Sequence, residues 1–166
     1  MAFESIEQIL HLCEKKSITF ARAVLEDDCG ERKVSREESC GQMEKVWEAM
    51  LSAAENYDRN LHSSSGLVGG DGGRMEDYCQ KGEPLCGSFV GQVIRHALQM
   101  GESNACMKRI VAAPTAGSCG VLPAVLIPYY HSSGCGRDEI LDALFVSAGI
   151  GQVIAERAFI AGAAGG

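Results

Sequence analysis

The chain has 166 residues, a formal net charge of −7 and a sequence pI near 5.1. With 46% hydrophobic and 22% charged residues, its composition is that of a folded globular protein, and the length predicts one domain. The acidic balance excludes nucleic acid as the main partner, because phosphate binding depends on clustered Lys and Arg side chains.

Eight cysteines are spread along the chain, without a C-x-x-C motif or a Cys–His pair at zinc-finger spacing. Residues 1–16 have no basic start, no long apolar stretch and no small-residue cleavage site, so they are not typical of a signal peptide. We therefore expect reduced thiols and a cytoplasmic protein. Residues 110–136 are uncharged but contain three prolines, which favours a buried segment of a soluble protein over a membrane span.

Composition changes sharply near residue 65. Residues 1–65 carry 21 of the 37 charged side chains and two of the 20 glycines, whereas residues 66–166 carry 16 charged side chains and 18 glycines. We divide the chain into amphipathic helices over residues 1–62 and a glycine-rich helical part over residues 63–166, within one domain overall. Glycine at this density favours close approach of backbone to backbone, or of backbone to a ligand.

Apolar residues recur at helical spacing along the first part. Ser5 and Ser35 each begin a capping-box pattern, which predicts one helix after Ser5 and another from Ser35 to about Leu61. Between them, an apolar stripe that starts at Ile18 predicts a helix that ends at residues 27–30.

The second part predicts a loop over residues 63–73 and further helices. The apolar stripe over residues 89–98 indicates a helix that stops near Gly101, and the next helix is expected to bend at Pro123. The last helix begins at Asp138 and is apolar on nearly all faces, so we expect it to be buried. No convincing segment alternates apolar and polar residues, and the predicted fold is therefore all-α.

Three segments are rich in glycine and other small residues: residues 65–73, with five glycines in nine positions, residues 113–120 and residues 160–166. Two of them adjoin predicted helices, whose free backbone N–H groups and positive dipole end suit an anion. The same residues also fit the ordinary roles of helix caps and tight turns. The Lys-Ser/Thr pair of a Walker motif does not follow the glycines, so nucleotide binding is not predicted.

The sequences SGLVGGD at residues 65–71, APTAGSCG at residues 113–120 and GAAGG at residues 162–166 resemble three signature segments of the bacterial iron–sulfur-dependent L-serine dehydratase α chain. Their order and spacing are similar to the family's, and so is the run MKRIVAA before the second segment. Val68 stands where Thr is expected, and Cys119 where many relatives have Ala. The resemblance covers essentially the whole chain and identifies it as the N-terminal part of such an α chain.

The resemblance implies a lyase that converts L-serine to pyruvate and ammonia. The family uses a 4Fe–4S cluster held by three cysteines, with one iron left open as a Lewis acid. The first of these cysteines directly follows G-A-A-G-G, so we expect the cluster ligands beyond Gly166, no metal ligand in this chain, and a fragment that is inactive alone. The family also implies a β chain or β domain as partner, here a separate chain, and an oligomer is expected; no membrane partner is expected.

The resemblance also points to candidate site residues in the matched segments. Asp71 and Lys108 are the catalytic candidates, although Asp71 also fits simple turn chemistry and Lys108 a solvated surface charge. The candidates for substrate binding are the hydroxyl-bearing and small residues of the first two segments, with residues 114–120 as the cradle of the substrate carboxylate. All three segments are expected to line one pocket. The substrate-binding set is Ser65, Gly66, Gly69, Gly70, Thr115, Ala116, Gly117 and Ser118.

Two other interpretations stay open. In the first, the chain is a non-catalytic helical interaction subunit whose glycine segments serve helix packing. In the second, it is a fragment of a pyridoxal-phosphate enzyme whose loops form a phosphate cup; that interpretation needs a Schiff-base lysine, and Lys108 is the only lysine near a candidate segment. The sequence after Gly166 separates them, because a Cys there with two more downstream supports the iron–sulfur family.

Overall fold

A computed structural model describes residues 3–158. Within that range the secondary structure consists of seven α-helices and one 3₁₀ turn, with no strand, which confirms the all-α prediction. The helices are α1 (Ile6–Lys16), α2 (Phe20–Arg32), α3 (Arg36–Glu55), α4 (Asp71–Gln80), α5 (Ser88–Ala105), α6 (Val121–Ser133) and α7 (Arg137–Arg157), and the 3₁₀ turn is Ala116–Ser118.

The described residues form two compact units. One unit comprises residues 3–47 and 136–158 and contains α1, α2, most of α3 and α7. The other, Glu48–Cys135, contains the end of α3 with α4, α5, the 3₁₀ turn and α6. The division into residues 1–62 and 63–166 rests on composition and stays a prediction.

Both predicted N-caps, Ser5 and Ser35, are confirmed, and the complete capping box is present at Ser35. Ser5 Oγ accepts a hydrogen bond from the backbone N–H of Gln8 at 3.3 Å at the beginning of α1. Before α3, Ser35 Oγ accepts from the N–H of Glu38 at 3.1 Å, and the Ser35 N–H donates to Glu38 Oε2 at 2.8 Å. The reciprocal pair is a complete capping box, which explains why the sequence pattern located this helix start well.

The predicted end of α2 at residues 27–30 is wrong, because the helix continues through Gly30 to Arg32. Arg32 Nε pairs with Asp28 Oδ1 one turn earlier at 3.3 Å, and such pairs support a helix across a residue of low propensity. The helix ends at Lys33, whose φ of 55° is left-handed. A single glycine in the helix costs about 1 kcal/mol, which the surrounding contacts offset.

Two further predicted helix ends are wrong. Helix α3 ends at Glu55 rather than near Leu61. The side-chain amide of Asn56, the next residue, donates to the carbonyl of Ser52 at 2.7 Å and so caps the last turn. Helix α5 continues past Gly101 by another turn. In both cases the apolar pattern gave the helix but not its boundary, which local capping determines.

The predicted loop over residues 63–73 is helical in its last part, because α4 begins at Asp71. Two glycines in the first turn of α4 hide this helix from a propensity argument. The predicted bend at Pro123 is also not required, since Pro123 lies in the first turn of α6, where a missing N–H removes no intrahelical bond. The proline inside α6 is Pro128.

In the unit built from both ends of the chain, α7 packs against α2. Leu144 and Phe145 of α7 are buried, as expected, but Ile150 and Ile154 are exposed, so the prediction of a helix buried on nearly all faces is confirmed in part. The apolar core of this unit combines buried side chains of α1, α2 and α7 with Phe3: Phe3, Ile9, Ala21, Ala23, Val24, Leu25, Phe145 and Val153.

In the Glu48–Cys135 unit, α5 packs against both α4 and α6. The backbone of Gly120, just before α6, comes close to α5, since a Cβ there would lie 3.3 Å from the carbonyl oxygen of Ala97. Helix α5 is therefore the central element of this unit, and both glycine segments contained in it attach to this helix. Among the helices of residues 3–158, none is long and apolar enough to cross a membrane.

Candidate functional site

The first glycine segment is a compact loop that leads into α4. The N–H of Ser63 donates to the carbonyl of Val68 at 2.8 Å, and the N–H of Gly66 donates to the carbonyl of Ser63 at 2.8 Å. The hydroxyl of Ser65 lies 3.0 Å from that of Ser63. The predicted substrate-binding residues Ser65 and Gly66 are exposed at the outer end of this loop.

Two glycines of the loop are required by its geometry. Gly69 has a φ of 146°, and a Cβ there would overlap the carbonyl oxygen of Leu61. Gly70 is the N-cap of α4 with a φ of 87°, which L-residues rarely adopt. The loop therefore lies against the segment after α3 without side chains between them.

The N-terminus of α4 is occupied by a carboxylate of the protein itself. Glu102 of α5 accepts hydrogen bonds at Oε1 from the N–H groups of Asp71 and Gly72, at 2.6 and 3.1 Å. Its Oε2 accepts from the hydroxyl of Tyr57 at 2.5 Å. The Glu102 side chain is buried, with 4% of the residue exposed. An anion suits the N-terminus of a helix, and here an internal side chain supplies it.

Tyr57 and Gln99 pack beneath the first turn of α4. A Cβ on Gly72 would lie 2.7 Å from Gln99 Cγ and 2.9 Å from the Tyr57 hydroxyl oxygen, so glycine is needed there. Burial raises the pKa of the Tyr57 hydroxyl, and the hydrogen bond and negative charge of Glu102 raise it further. Tyr57 therefore stays protonated and acts as a donor to Glu102.

The two predicted catalytic residues lie on the surface of this unit. Asp71 forms an exposed ion pair with Arg74, at 2.7 Å between Oδ1 and Nη1. Lys108 follows α5, is exposed, and donates its backbone N–H to the carbonyl of Ser103 at 2.9 Å. Their catalytic roles stay predictions, since no described contact joins them.

The second segment folds on itself around its two hydroxyls. Thr115 donates its N–H to Ser118 Oγ at 3.2 Å, and the two hydroxyl oxygens lie 3.0 Å apart. Ser118 Oγ also lies 3.0 Å from the carbonyl oxygen of Ala113. Ala116 accepts from the Asn104 side chain of α5 at 3.1 Å, and Gly117 is exposed at the tip of the turn. The capping role suggested by the sequence is present, and the turn brings the four predicted residues 115–118 together.

The two segments attach to α5 two residues apart, the first at Glu102 and the second at Asn104. At 3.6 residues per turn, such positions lie about 200° apart around the helix axis. The third segment, including Gly165, lies outside the described residues. The prediction that all three segments line one pocket therefore stays a prediction.

A cavity of about 320 Å³ lies in the same unit, and its lining residues come from the end of α3, the segment after it, α4, α5 and α6. Tyr57 and Gln99, which support the first glycine segment, also line it. The other lining residues combine charged, aromatic and apolar side chains: Leu51, Ala54, Glu55, Arg59, Glu76, Arg95, His96, Ile127 and His131.

His96 is buried in the wall of this cavity, with 7% of the residue exposed. Arg95 Nη2 lies 2.9 Å from His96 Nε2, and Arg95 Nη1 pairs with Glu76 at 3.1 Å. Burial, together with the smaller effect of the Arg95 and His131 charges, lowers the pKa of His96 to about 4. Because arginine can only donate, Nε2 accepts and the proton of the neutral ring lies on Nδ1.

Sequence reasoning missed Glu102, Tyr57 and His96 as candidate residues. Glu102 and His96 belong to the polar side of α5, which a periodicity argument assigns to solvent. Tyr57 lies 45 positions before Glu102, so no local pattern connects them.

Among residues 3–158, no group of three His, Cys, Asp or Glu side chains lies close enough together to hold a metal ion. All eight cysteines fall in that range and are free thiols, distributed over both units. These residues therefore do not fit a 4Fe–4S cluster by themselves.

The family model "Serine dehydratase alpha chain" matches residues 15–166. The chain belongs to this family. The match contains the whole of the three glycine segments, which confirms the resemblance on which the candidate residues depend.

Relatives named as serine dehydratases align along nearly the whole chain. The "L-serine dehydratase, alpha chain" of Peptoniphilus asaccharolyticus is 32% identical over 160 residues, which cover 96% of this chain and 55% of the relative. The "Probable L-serine dehydratase, alpha chain" of Bacillus subtilis (strain 168) is 29% identical over 164 residues, 99% of this chain and 55% of the relative. The chain thus spans about half the length of these two relatives. No solved structure matches it significantly.

Proposed function

We propose that this serine dehydratase family chain is part of an enzyme that converts L-serine to pyruvate and ammonia, a carbon–oxygen and carbon–nitrogen lyase. The observation that supports this function is the family match over residues 15–166, together with relatives named L-serine dehydratase. Since the chain spans about half the length of those relatives, activity requires the remainder of the α chain, and residues 1–166 alone are inactive. The complete enzyme is a cytoplasmic oligomer that also needs its β chain or β domain.

The cradle for the substrate carboxylate is the turn formed by residues 114–120. Thr115 and Ser118 fix each other's hydroxyls, so the turn is ordered before substrate arrives. Charge-assisted hydrogen bonds to a carboxylate are worth about 1.5–3 kcal/mol each. A preformed turn loses less conformational freedom on binding than a mobile one, which favours affinity.

The first glycine segment binds the rest of the substrate in this proposal. Ser65 and Gly66 lie at its exposed end, while Gly69 and Gly70 fix its base. In this proposal Asp71 acts as a base or a polar anchor, and Lys108 acts as a base or as the partner of the carboxylate. Both residues are solvent-exposed. The proposal includes a 4Fe–4S cluster in the complete enzyme, with cysteine ligands that the resemblance to the family places beyond Gly166.

The test uses the complete α chain with its β partner, purified without oxygen, and measures pyruvate formed from L-serine. Thr115→Ala and Ser118→Ala should each raise KM for serine about tenfold or more, because each removes a hydroxyl that orders the cradle. Ser132→Ala removes an exposed hydroxyl at the end of α6 and should leave KM unchanged. An inactive wild-type enzyme with full iron and sulfide content would refute the function. Wild-type kinetics in both cradle variants would mean that the turn serves only as a helix cap and does not bind substrate.

A further inference from the structure

Glu102 connects two parts of the Glu48–Cys135 unit through a single carboxylate. One oxygen accepts from two consecutive backbone N–H groups at the start of α4, and the other accepts from Tyr57 after α3. All three partners are donors, as suits a carboxylate that accepts with both oxygens. The residue is 4% exposed, so these bonds form away from competing water.

The N–H groups that Glu102 holds belong to Asp71 and Gly72, directly after the substrate-binding glycines of the first segment. Free N–H groups at a helix N-terminus carry a partial positive charge and attract an anion. Here the anion is supplied from α5, so these two donors are not available to the substrate. The carboxylate therefore fixes the position at which the loop ends and α4 begins.

Neighbouring side chains restrict the movement of the junction between the first glycine segment and α4. Tyr57 and Gln99 pack under Gly72 at distances that exclude even a methyl group. Arg59 Nη2 lies 3.4 Å from the carbonyl oxygen of Gly73 and 2.8 Å from Asp77 Oδ2. Glu102 is the member of this group that accepts charge-assisted hydrogen bonds from the backbone N–H groups of the first helical turn, at 2.6 and 3.1 Å.

We propose that Glu102 is a positioning residue for the loop over residues 65–70, acting through the N–H groups of Asp71 and Gly72 and without contacting substrate. This inference rests on the proposed function, in which that loop binds L-serine. It follows that removal of the carboxylate leaves an empty anion site at the start of α4. A small external carboxylate then restores the loop.

The experiment uses the complete α chain with its β partner and compares Glu102→Ala with wild type. We expect KM for serine to rise about tenfold or more at unchanged iron and sulfide content, with a smaller change in kcat. Sodium formate should lower the KM of Glu102→Ala toward the wild-type value, whereas sodium chloride at the same ionic strength should not. Glu102→Gln keeps an acceptor oxygen for the two N–H groups, so its KM should fall between those of wild type and Glu102→Ala.

Glu76→Ala is the matched control, because it removes a half-buried carboxylate of the same unit that pairs with Arg95. Its KM should stay at the wild-type value with or without formate. Two results overturn the proposal: a wild-type KM in Glu102→Ala, or a raised KM that neither formate nor the Gln variant restores. If Glu102→Ala does not fold, a wild-type KM in both Glu102→Gln and Tyr57→Phe overturns it. Absence of turnover in wild type refutes the proposed function instead, and so the two failures are distinguishable.

Discussion

At the scale of single residues, His96 makes the stability of the chain depend on pH. Its pKa of about 4 in the folded protein lies below the ordinary value of 6.5, because the ring is buried beside Arg95. The unfolded chain therefore binds more protons than the folded chain between these values. The free energy of unfolding consequently rises with pH across this window. The contribution of His96 is fully present above about pH 6.5 and is lost as the pH falls toward 4.

We predict that His96→Gln flattens this dependence. A shift from 6.5 to about 4 corresponds to at most about 3–4 kcal/mol, at 1.36 kcal/mol per pKa unit. Urea unfolding at a series of pH values between these limits measures the slope. The control is His131→Gln, because His131 is an exposed histidine of the same unit and its loss should leave most of the slope. An unchanged slope in His96→Gln would mean that other groups cause the acid sensitivity.

At the scale of helices, two glycines of α7 look alike in the sequence but differ in their surroundings. A Cβ on Gly149 would lie 2.5 Å from Val24 Cγ2 and 3.1 Å from Phe20 Cε1, both in α2. A Cβ on Gly151 would meet nothing within 4 Å. The contact between α7 and α2 therefore depends on one glycine, and the other only lowers helix propensity.

Opposite effects on stability are expected from the same substitution at these two positions. Gly149→Ala should lower the free energy of unfolding by about 1–3 kcal/mol, because the added methyl group overpacks the contact with α2. Gly151→Ala should raise it by about 0.5–1 kcal/mol, since alanine favours a helix and finds open space. Urea denaturation of both variants beside wild type measures the difference. Equal effects of either sign would show that α7 does not pack as described.

Helix α5 shows what periodicity can and cannot predict. The sequence correctly places a helix over residues 89–98, but the side of that helix in the protein interior is largely polar. Tertiary contacts with α4 and Tyr57 compensate for burying Glu102, and such contacts are not visible in a local pattern. The buried polar residues of α5 are His96, Gln99, Glu102 and Ser103, and its exposed apolar residues are Phe89, Val90, Ile94 and Leu98.

At the scale of the whole molecule, the motifs identified the family, and the helix patterns identified the fold class. The capping residues Ser5 and Ser35 located helix starts because their hydrogen bonds span only three residues. The Glu102 site could not be predicted in the same way, since its partners lie 30, 31 and 45 positions away. Long-range contacts of this kind follow from how helices pack, which the order of residues does not state directly.

The surface of α6 leads to a prediction about the chain in solution. Val121, Val125 and Tyr129 recur every fourth residue and are 60%, 46% and 47% exposed, so they form a continuous apolar stripe. Exposed apolar stripes promote association between proteins. We therefore expect the 166-residue chain to self-associate as its concentration rises. Size-exclusion chromatography with light scattering measures this association. The double substitution Val121→Lys with Val125→Lys should shift association to several-fold higher concentration, because it removes apolar surface. The double substitution Ser132→Lys with Ser133→Lys adds the same charge beyond the stripe and should have little effect on the concentration at which the chain associates. If both double variants shift that concentration equally, charge repulsion rather than the apolar stripe controls association.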